Sequence, residues 1–397
     1  MGKIESITFF YPSTIVGGAE FLFIRLAENI CQRFNVRIYY VDFEDGFARK
    51  TLRNNHKISF IDFFRFKRHY IPANTLVVTP LSSIIDLLKF DKCEGDFKVL
   101  FWSIHPFALN NVMKHYLNGK LNKIIFTEDL NEFIALGGIK FMDGPNYSIQ
   151  RNIFQFSGEP SYLPIPVRIA EKSNAYRTSA NIRITWLGRL SEDKIFALLN
   201  VLNHANTFAS TSSRSVYVNI IGEGEAANLL LMESYPNLNI VRHGSLISTE
   251  LYEVLTNDTD VLFAMGTSAL EGGALAIPTV LVDMSYSEIP DSNRFRWLYE
   301  TIDFSLADEY TPEQSDRHLF DQLMNEVSLR HDIHATRCHT YVSTYHSMDA
   351  VGSSLMDALE KTDLTISRLK KSSFSQFGKL NLLSVVKSYI IFLCKKF

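Results

Sequence analysis

Apolar and polar positions in this chain fall into short blocks that alternate between a strand-like and a helix-like period. Residues 4–10 form a brief apolar run closed by Pro12, followed by a loop containing Gly17-Gly18. Leu22, Leu26 and Ile30 then recur at spacing four, with Phe23, Ala27 and Phe34 beside them, which predicts a helix. Strand-like runs at 36–41, 75–79, 98–102 and 123–127 continue the series. Strand and helix patterns with such short connections predict a parallel, doubly wound sheet. Between 142 and 181 the pattern dissolves into Gly144-Pro145-Asn146, Gly158-Glu159-Pro160, Pro164, Pro166 and a polar run at 171–180, so an interdomain linker is expected there. A second series follows: strand 182–187, helix 193–205, strands 216–221 and 238–242, helix 249–257, strand 260–264, helix 268–276 and strand 279–282. The expected fold class is therefore α/β, with two Rossmann-like domains facing each other across a cleft. No repeat with a period of about 20–50 residues appears, which excludes a solenoid.

Composition sharpens this picture in three places. At 397 residues, 46% hydrophobic and 21% charged, the chain is globular and long enough for two cores. A formal net charge of −3 argues against a nucleic-acid partner, because such proteins carry a basic excess. The four cysteines, Cys31, Cys93, Cys338 and Cys394, are widely separated and read as reduced thiols. Together with the lack of a charged-then-apolar leader before the first strand, they imply a cytoplasmic protein. From 364 to 397 there is no acid but seven cations, interleaved with apolar residues around Lys387. That run is too short to span a bilayer of ~20 residues. It reads either as an amphipathic anchor on an anionic membrane face or as a terminal helix docked on its own protein. The segments are thus 1–170, 171–345, a crossover helix at 346–363 and the basic tail at 364–397.

The densest chemical signal is Gly188-Arg189-Leu190 with Lys194, placed between the strand at 182–187 and the next helix. Two cations at the carboxyl edge of a sheet, beside a helix N-terminus, suit a diphosphate and need no metal. Gly17-Gly18-Ala19-Glu20 holds the same place after the first strand, where glycines allow close backbone approach. Gly222-Glu223-Gly224-Glu225 reads as a tight turn, since flanking acids suit a pyrophosphate poorly. In 263–280 a strand ends, Gly266-Thr267-Ser268 turns the chain, and Thr267 or Ser268 is the expected N-cap, with Glu271 in the first helical turn. An acid there either answers the helix dipole or accepts bonds from a ribose diol.

These motifs, in this order and spacing, resemble GT-B glycosyltransferases of the retaining group-1 type, the family of capsule, O-antigen and lipopolysaccharide sugar transferases. The resemblance spans about residues 4–360 and includes Trp102-Ser103-Ile104-His105-Pro106, Leu163-Pro164-Ile165-Pro166-Val167 and Pro278-Thr279-Val280. It implies a donor domain at 171–345 and an acceptor domain at 1–170. It also implies that Arg189 and Lys194 hold the donor diphosphate, Glu271 grips the ribose, and Gly17-Gly18 approach the phosphate or the reacting sugar. His105 would lie near the transferred sugar, the backbone at His243-Gly244-Ser245 would border the base, and Gly188 belongs to the diphosphate loop. The implied donor is a nucleotide-diphosphate sugar, used without metal or other cofactor. The implied acceptor is a lipid-linked or oligosaccharide glycan, reached by a protein peripheral to the inner face of the cell membrane.

One departure is plain. The family's Glu-x7-Glu pair would put its first acid at 263, which is Phe263, and Gly266-Thr267-Ser268 is the expected substitute. That loss keeps a second reading open, a non-catalytic nucleotide-sugar-binding or partner subunit. A third, a nucleotide-sugar 2-epimerase, leaves the basic tail unexplained. Asp258-Thr259-Asp260 and the group His331, His334, Cys338 and His339 lack the context or spacing of metal sites. His105 reads equally as a structural histidine. The aromatic run 60–70 reads as a lipid-facing or acceptor-facing loop, or as one packed on its own domain.

Overall fold

The computed structural model describes residues 4–63, 71–72, 74–88, 96–116, 124–169, 181–313 and 316–378. The chain divides into two compact units, one of Met1–Ile165 with Val351–Phe397 and one of Pro166–Ala350.

The first unit runs β1 (Ser6–Phe10), α1 (Gly18–Arg33), β2 (Arg37–Asp42), α2 (Phe47–Leu52), β3 (Ile58–Asp62), β4 (Thr75–Pro80), α3 (Ile84–Leu88), β5 (Lys98–Ser103), α4 (Ala108–Tyr116), α5 (Ile124–Ala135), β6 (Ile139–Phe141) and α6 (Gly144–Phe154). Its strands pair in parallel in the order β3-β2-β1-β4-β5-β6. Every residue of β1 is buried, as a central parallel strand covered on both faces requires. The buried hydroxyls that result are paired internally, Thr8 with Thr75 at 2.9 Å.

The second unit repeats the plan with β7 (Asn181–Leu187), α7 (Ile195–Thr211), β8 (Ser215–Ile221), β9 (Leu238–Gly244), α8 (Ser248–Asn257), β10 (Val261–Ala264), α9 (Thr267–Ala274), β11 (Thr279–Leu281), β12 (Arg296–Trp297) and α10 (Phe320–Tyr345). The order is β12-β11-β10-β7-β8-β9, with only β12 antiparallel. Ile184, Trp186, Val218 and Ile220 of the sheet pack with Ile195, Leu198, Val201 and Leu202 of α7 in one core. In each sheet the strand order reverses beside the first strand, between β1 and β4 and between β7 and β10. Such a reversal opens a crevice at the carboxyl ends of the strands.

After α10 the chain turns into α11 (Met348–Lys361), α12 (Ile366–Leu369) and α13 (Ser375–Gly378). The expectation of a membrane-facing tail beginning at 364 fails for its first fifteen residues. Leu364, Ile366, Leu369 and Phe374 are buried in the core of the first unit. The Phe374 ring lies 4.6 Å from that of Phe126 in α5. Backbone bonds from Val99 N to Leu364 O (2.8 Å) and from Ile366 N to Phe97 O (2.9 Å) fix the segment. The apolar positions up to 374 therefore serve this protein's own core, and 379–397 lie outside the described residues.

Three further expectations are corrected. The run at 123–127 is no strand: from Ile124 it opens α5, whose Phe126, Leu130 and Phe133 bury one helical face. A three-residue apolar run carries too little periodicity to separate the two states. The expected linker contains α6, started by Asp143, whose carboxylate accepts from Asn146 N at 2.8 Å, with proline in the first turn. Finally, the aromatic run from 60 begins inside the sheet, with Phe60 in β3 and Phe63 buried, while 64–70 lie outside the described residues.

Candidate functional site

The second unit gathers its glycines and cations on one edge of its sheet. Leu187 at the end of β7 pairs with Ile221 at the end of β8, and Ala264 at the end of β10 pairs with Leu187 on the other side. The segments leaving β7, β8 and β9 are then laced together by main-chain bonds. Gly188 N donates to Ile221 O (3.0 Å), Leu190 N to Glu223 O (2.9 Å), Ala226 N to Leu190 O (2.9 Å) and Gly222 N to Gly244 O (2.7 Å). So close a lacing leaves no room for side chains. Gly222 has φ +136°, and a Cβ there would overlap Gly188 O; one on Gly224 would overlap Leu190 O. The segment 222–225, expected from sequence to be a tight turn, is also the clamp on the Gly188-Arg189-Leu190 segment.

Arg189 leaves this clamp exposed to solvent, and Lys194, half buried, precedes the first residue of α7. Among the described residues no ion pair engages either side chain. Burial lowers the pKa of Lys194; the Asp193 carboxylate opposes that shift and the Arg189 charge adds to it. Two cations near one another, opposed by the single Asp193 carboxylate, leave this edge with a positive excess that suits an anion. Ser285 N donates to Asp193 O at 3.0 Å, which joins this segment to the exit of β11.

Beside it, across the switch point, the exit of β10 is only Met265-Gly266 before α9 begins. The expected cap is corrected: neither hydroxyl caps α9. Gly266 is the N-cap, at φ +64° and ψ −141°, and Thr267 and Ser268 are the first two helical residues. A left-handed glycine makes the turn without a side-chain acceptor, so the first N–H groups of α9 are not covered by one. Glu271 is also displaced, to the second turn, where it is exposed; the first turn holds no acid. Position 263, where the family resemblance would place an acid, is a core position. Phe263 lies inside β10 with no exposed surface, its ring 5.6 Å from both Phe295 and Phe320. It faces the core, not the edge.

His243, Gly244 and Ser245 divide by role. The His243 ring bonds Asn219 on β8 at 2.9 Å, and Asn219 donates to Asp258 O at 2.9 Å. That side chain is held on the sheet face, while the Gly244 carbonyl belongs to the clamp. Ser245 Oγ donates to Glu223 Oε2 at 3.1 Å, drawing that acid toward the exit of β9.

The first unit carries its own set on the corresponding edge. Gly17 is the N-cap of α1 at φ −151°, and a Cβ on it would meet Glu20 Oε2 at 2.6 Å. Glu20 is buried and accepts from Ser13 Oγ (2.9 Å) and Tyr11 Oη (3.2 Å). Burial raises the Tyr11 phenol, and the Glu20 charge adds to the shift. Asp42, fully buried at the end of β2, accepts from the backbone N–H groups of Ser13, Phe43 and Arg49. These two carboxylates pin the segment between β1 and α1, and Gly18 faces open space. His105, past β5, is exposed; its Nδ1 accepts from Phe107 N at 3.1 Å. With Ser103 and Ser82 it lines a small cavity at the exits of β4 and β5.

The sequences set aside as metal motifs are engaged elsewhere. Asp260 accepts from Arg183 at the start of β7 (Nη2, 2.6 Å), and His334 on α10 bonds Tyr299 Oη at 2.8 Å. Cys338 is fully buried, its thiol pushed up to about 12 by burial. Sequence reading missed a group of charges at the exit of β11. Arg296 and Arg317 pair there with Asp283 and Asp308, and no local spacing could reveal residues so far apart in the chain.

No protein-family profile and no curated protein matches the chain. Similarity is found among solved structures. A glycosyltransferase from Rickettsia africae ESF-5 superposes with a TM-score of 0.53 at 12% identity, over 93% of this chain and 99% of that one. A variant of S. aureus TarM, in complex with Fondaparinux, alpha-GlcNAc-glycerol and UDP, gives 0.52 at 10% identity over 89% and 99%. The N-terminal domain of Candida albicans trehalose-6-phosphate phosphatase gives 0.52 at 12% over 91% and 98%. Identities this low bear on architecture alone. With its two doubly wound sheets, each reversing strand order beside its first strand, the chain has the GT-B fold.

Proposed function

We propose that this protein is a glycosyltransferase moving a hexose-type sugar from a nucleotide-diphosphate sugar to a glycan acceptor, with retention and without a metal. The observation that carries the reading is the pair Arg189 and Lys194, which form no salt bridge among the described residues, at the switch point beside the N-terminus of α9. Cleavage of the sugar–phosphate bond puts negative charge on the departing diphosphate and positive character on the anomeric carbon. Fixed cations and helix N–H groups stabilise that charge as it develops. UDP in the complex of the similarly folded TarM variant supports a nucleotide ligand. In this reading Glu271 takes the ribose diol, the Gly244-Ser245 backbone borders the base, and His105 serves the transferred sugar. Gly18, not Gly17, is the glycine that approaches ligand. A panel of UDP-sugars and GDP-sugars tests this by thermal shift. The true donor at 100 times its Kd adds about 2.7 kcal/mol of stability, and no response to any member overturns the proposal.

A lipid-linked acceptor in surface-polysaccharide synthesis is part of the proposal, with the acid-free segment 379–397 lying on an anionic membrane face and no role for nucleic acid. Among the described residues no helix is long and apolar enough to cross a membrane. Each lysine near such a surface contributes about 1 kcal/mol. Changing Lys379, Lys387, Lys395 and Lys396 together to alanine should weaken sedimentation with phosphatidylserine vesicles at least about a hundredfold on that scale. Unchanged sedimentation removes the membrane from the reading. The absence of an acid at 263 and in the first turn of α9 favours one alternative, a non-catalytic subunit that binds nucleotide sugar. Donor turnover by the purified protein separates the two.

A further inference from the structure

The α9 turn does not hold itself. Gly266 N donates to Leu306 O at 3.0 Å, so the turn rests on a strand-free segment that begins after Glu300. That segment is strained: Asp303 and Phe304, neither of them glycine, sit in succession at φ +51° and +60°. L residues resist this region and stay there only when their surroundings over-determine it. The restraints can be followed atom by atom. Thr301 Oγ1 donates to Ser305 O, and Ser305 Oγ donates to Asp308 Oδ1 at 2.6 Å. The Phe304 ring packs edge-on against Tyr345 and His346. Met284 N donates to Asp308 O at 2.9 Å, tying the segment to the exit of β11.

One side chain closes this set. Arg296 in β12 sends Nη2 to Asp308 Oδ2 (2.7 Å) and to Ser305 Oγ (3.4 Å), and the same nitrogen lies 3.9 Å from the buried Asp283. It therefore grips the residues on both sides of Leu306, whose carbonyl holds Gly266. Arg317 balances the same two acids, bonding Asp283 and lying 3.7 Å from Asp308. Two cations and two carboxylates cancel, so the group offers no net charge to a ligand. Its effect on the anion site is geometric. From these contacts we infer that Arg296 is a positioning residue for diphosphate binding: through Ser305, Asp308 and Leu306 it fixes the Gly266 turn and so aims the first N–H groups of α9. The inference rests on the nucleotide-sugar reading above and adds to it the device that shapes the phosphate end of the site.

The test is binding, not turnover. UDP and GDP are titrated into the full chain, and the nucleoside of whichever one binds is followed at millimolar concentration by saturation-transfer NMR. Arg296→Met should weaken the nucleoside diphosphate at least tenfold and leave the nucleoside unchanged, because only the phosphate end depends on the turn. Ser305→Ala removes one link while all charges stay, and should weaken the diphosphate several-fold in the same selective way; it decides the matter if Arg296→Met does not fold. Diphosphate binding like that of the wild type in the folded variants, or an equal loss of nucleoside and diphosphate, overturns the inference. If Arg189→Ala abolishes diphosphate binding while both of these variants retain it, the nucleotide-sugar reading stands and Arg296 has no part in it. A wild-type protein that binds neither UDP nor GDP overturns both.

Discussion

Replacing Arg189 or Lys194 by alanine should lower turnover about a hundredfold to a thousandfold, the effect of removing one aimed donor from a developing oxyanion. That range corresponds to roughly 2.7–4 kcal/mol of transition-state stabilisation. The two side chains differ in setting, and so should the variants. Arg189 is exposed, whereas Lys194 is half buried and burial disfavours its ammonium. A bound diphosphate favours that ammonium and raises its pKa, so above the free-state pKa binding must take up a proton. Affinity for the nucleoside diphosphate should therefore fall as pH rises through the lowered pKa of Lys194, and Lys194→Ala should flatten this dependence. Turnover within a few-fold of wild type in both variants would leave the site without its central pair.

Changing Gly222 to alanine should unfold the second unit at a markedly lower temperature. The residue stands at φ +136°, a region that strains a side-chain-bearing residue by about 1–3 kcal/mol. The added methyl also overlaps the Gly188 carbonyl, and overpacking of that kind costs a further 1–3 kcal/mol or so. A total near 3 kcal/mol lowers Tm by roughly 6–12 °C for a unit of this size. Because the clamp holds the Arg189 segment, nucleotide binding should weaken as well, even where the variant remains folded. Gly18→Ala is the contrast: its Cβ meets nothing within 4 Å, and alanine suits the start of α1, so stability should hold or rise slightly. Calorimetry on both variants checks the pair, and equal melting temperatures would contradict the role given to the clamp.

Much of this architecture is legible in the chain itself. Leu22, Leu26 and Ile30 on α1, and the alternation through β7, are local signals, because a helix or strand writes its period directly into its own residues. Failures fall where that period is too short or is overridden. Ile124-Ile125-Phe126 opens a helix because Leu130 and Phe133 extend its face into the core. The basic tail misleads for a related reason: the apolar side of 364–378 looks the same in sequence whether its partner is lipid or, as here, Phe126 and its neighbours.

Local pattern is enough to specify the strand–helix series, the division into two units, and the placement of Gly188, Arg189 and Lys194 at a strand exit, since each depends on residues adjacent in the chain. Tertiary structure alone decided that Gly222 and Gly224 clamp that exit, that Gly266 rather than a hydroxyl begins α9, and that Phe263 faces the core. It also joined Asp283, Arg296, Asp308 and Arg317 into one neutral group. The physical reason is common to all of these. Hydrogen bonds and ion pairs across neighbouring strands depend on strand order and register, and a parallel sheet with crossovers brings together segments that share no local spacing.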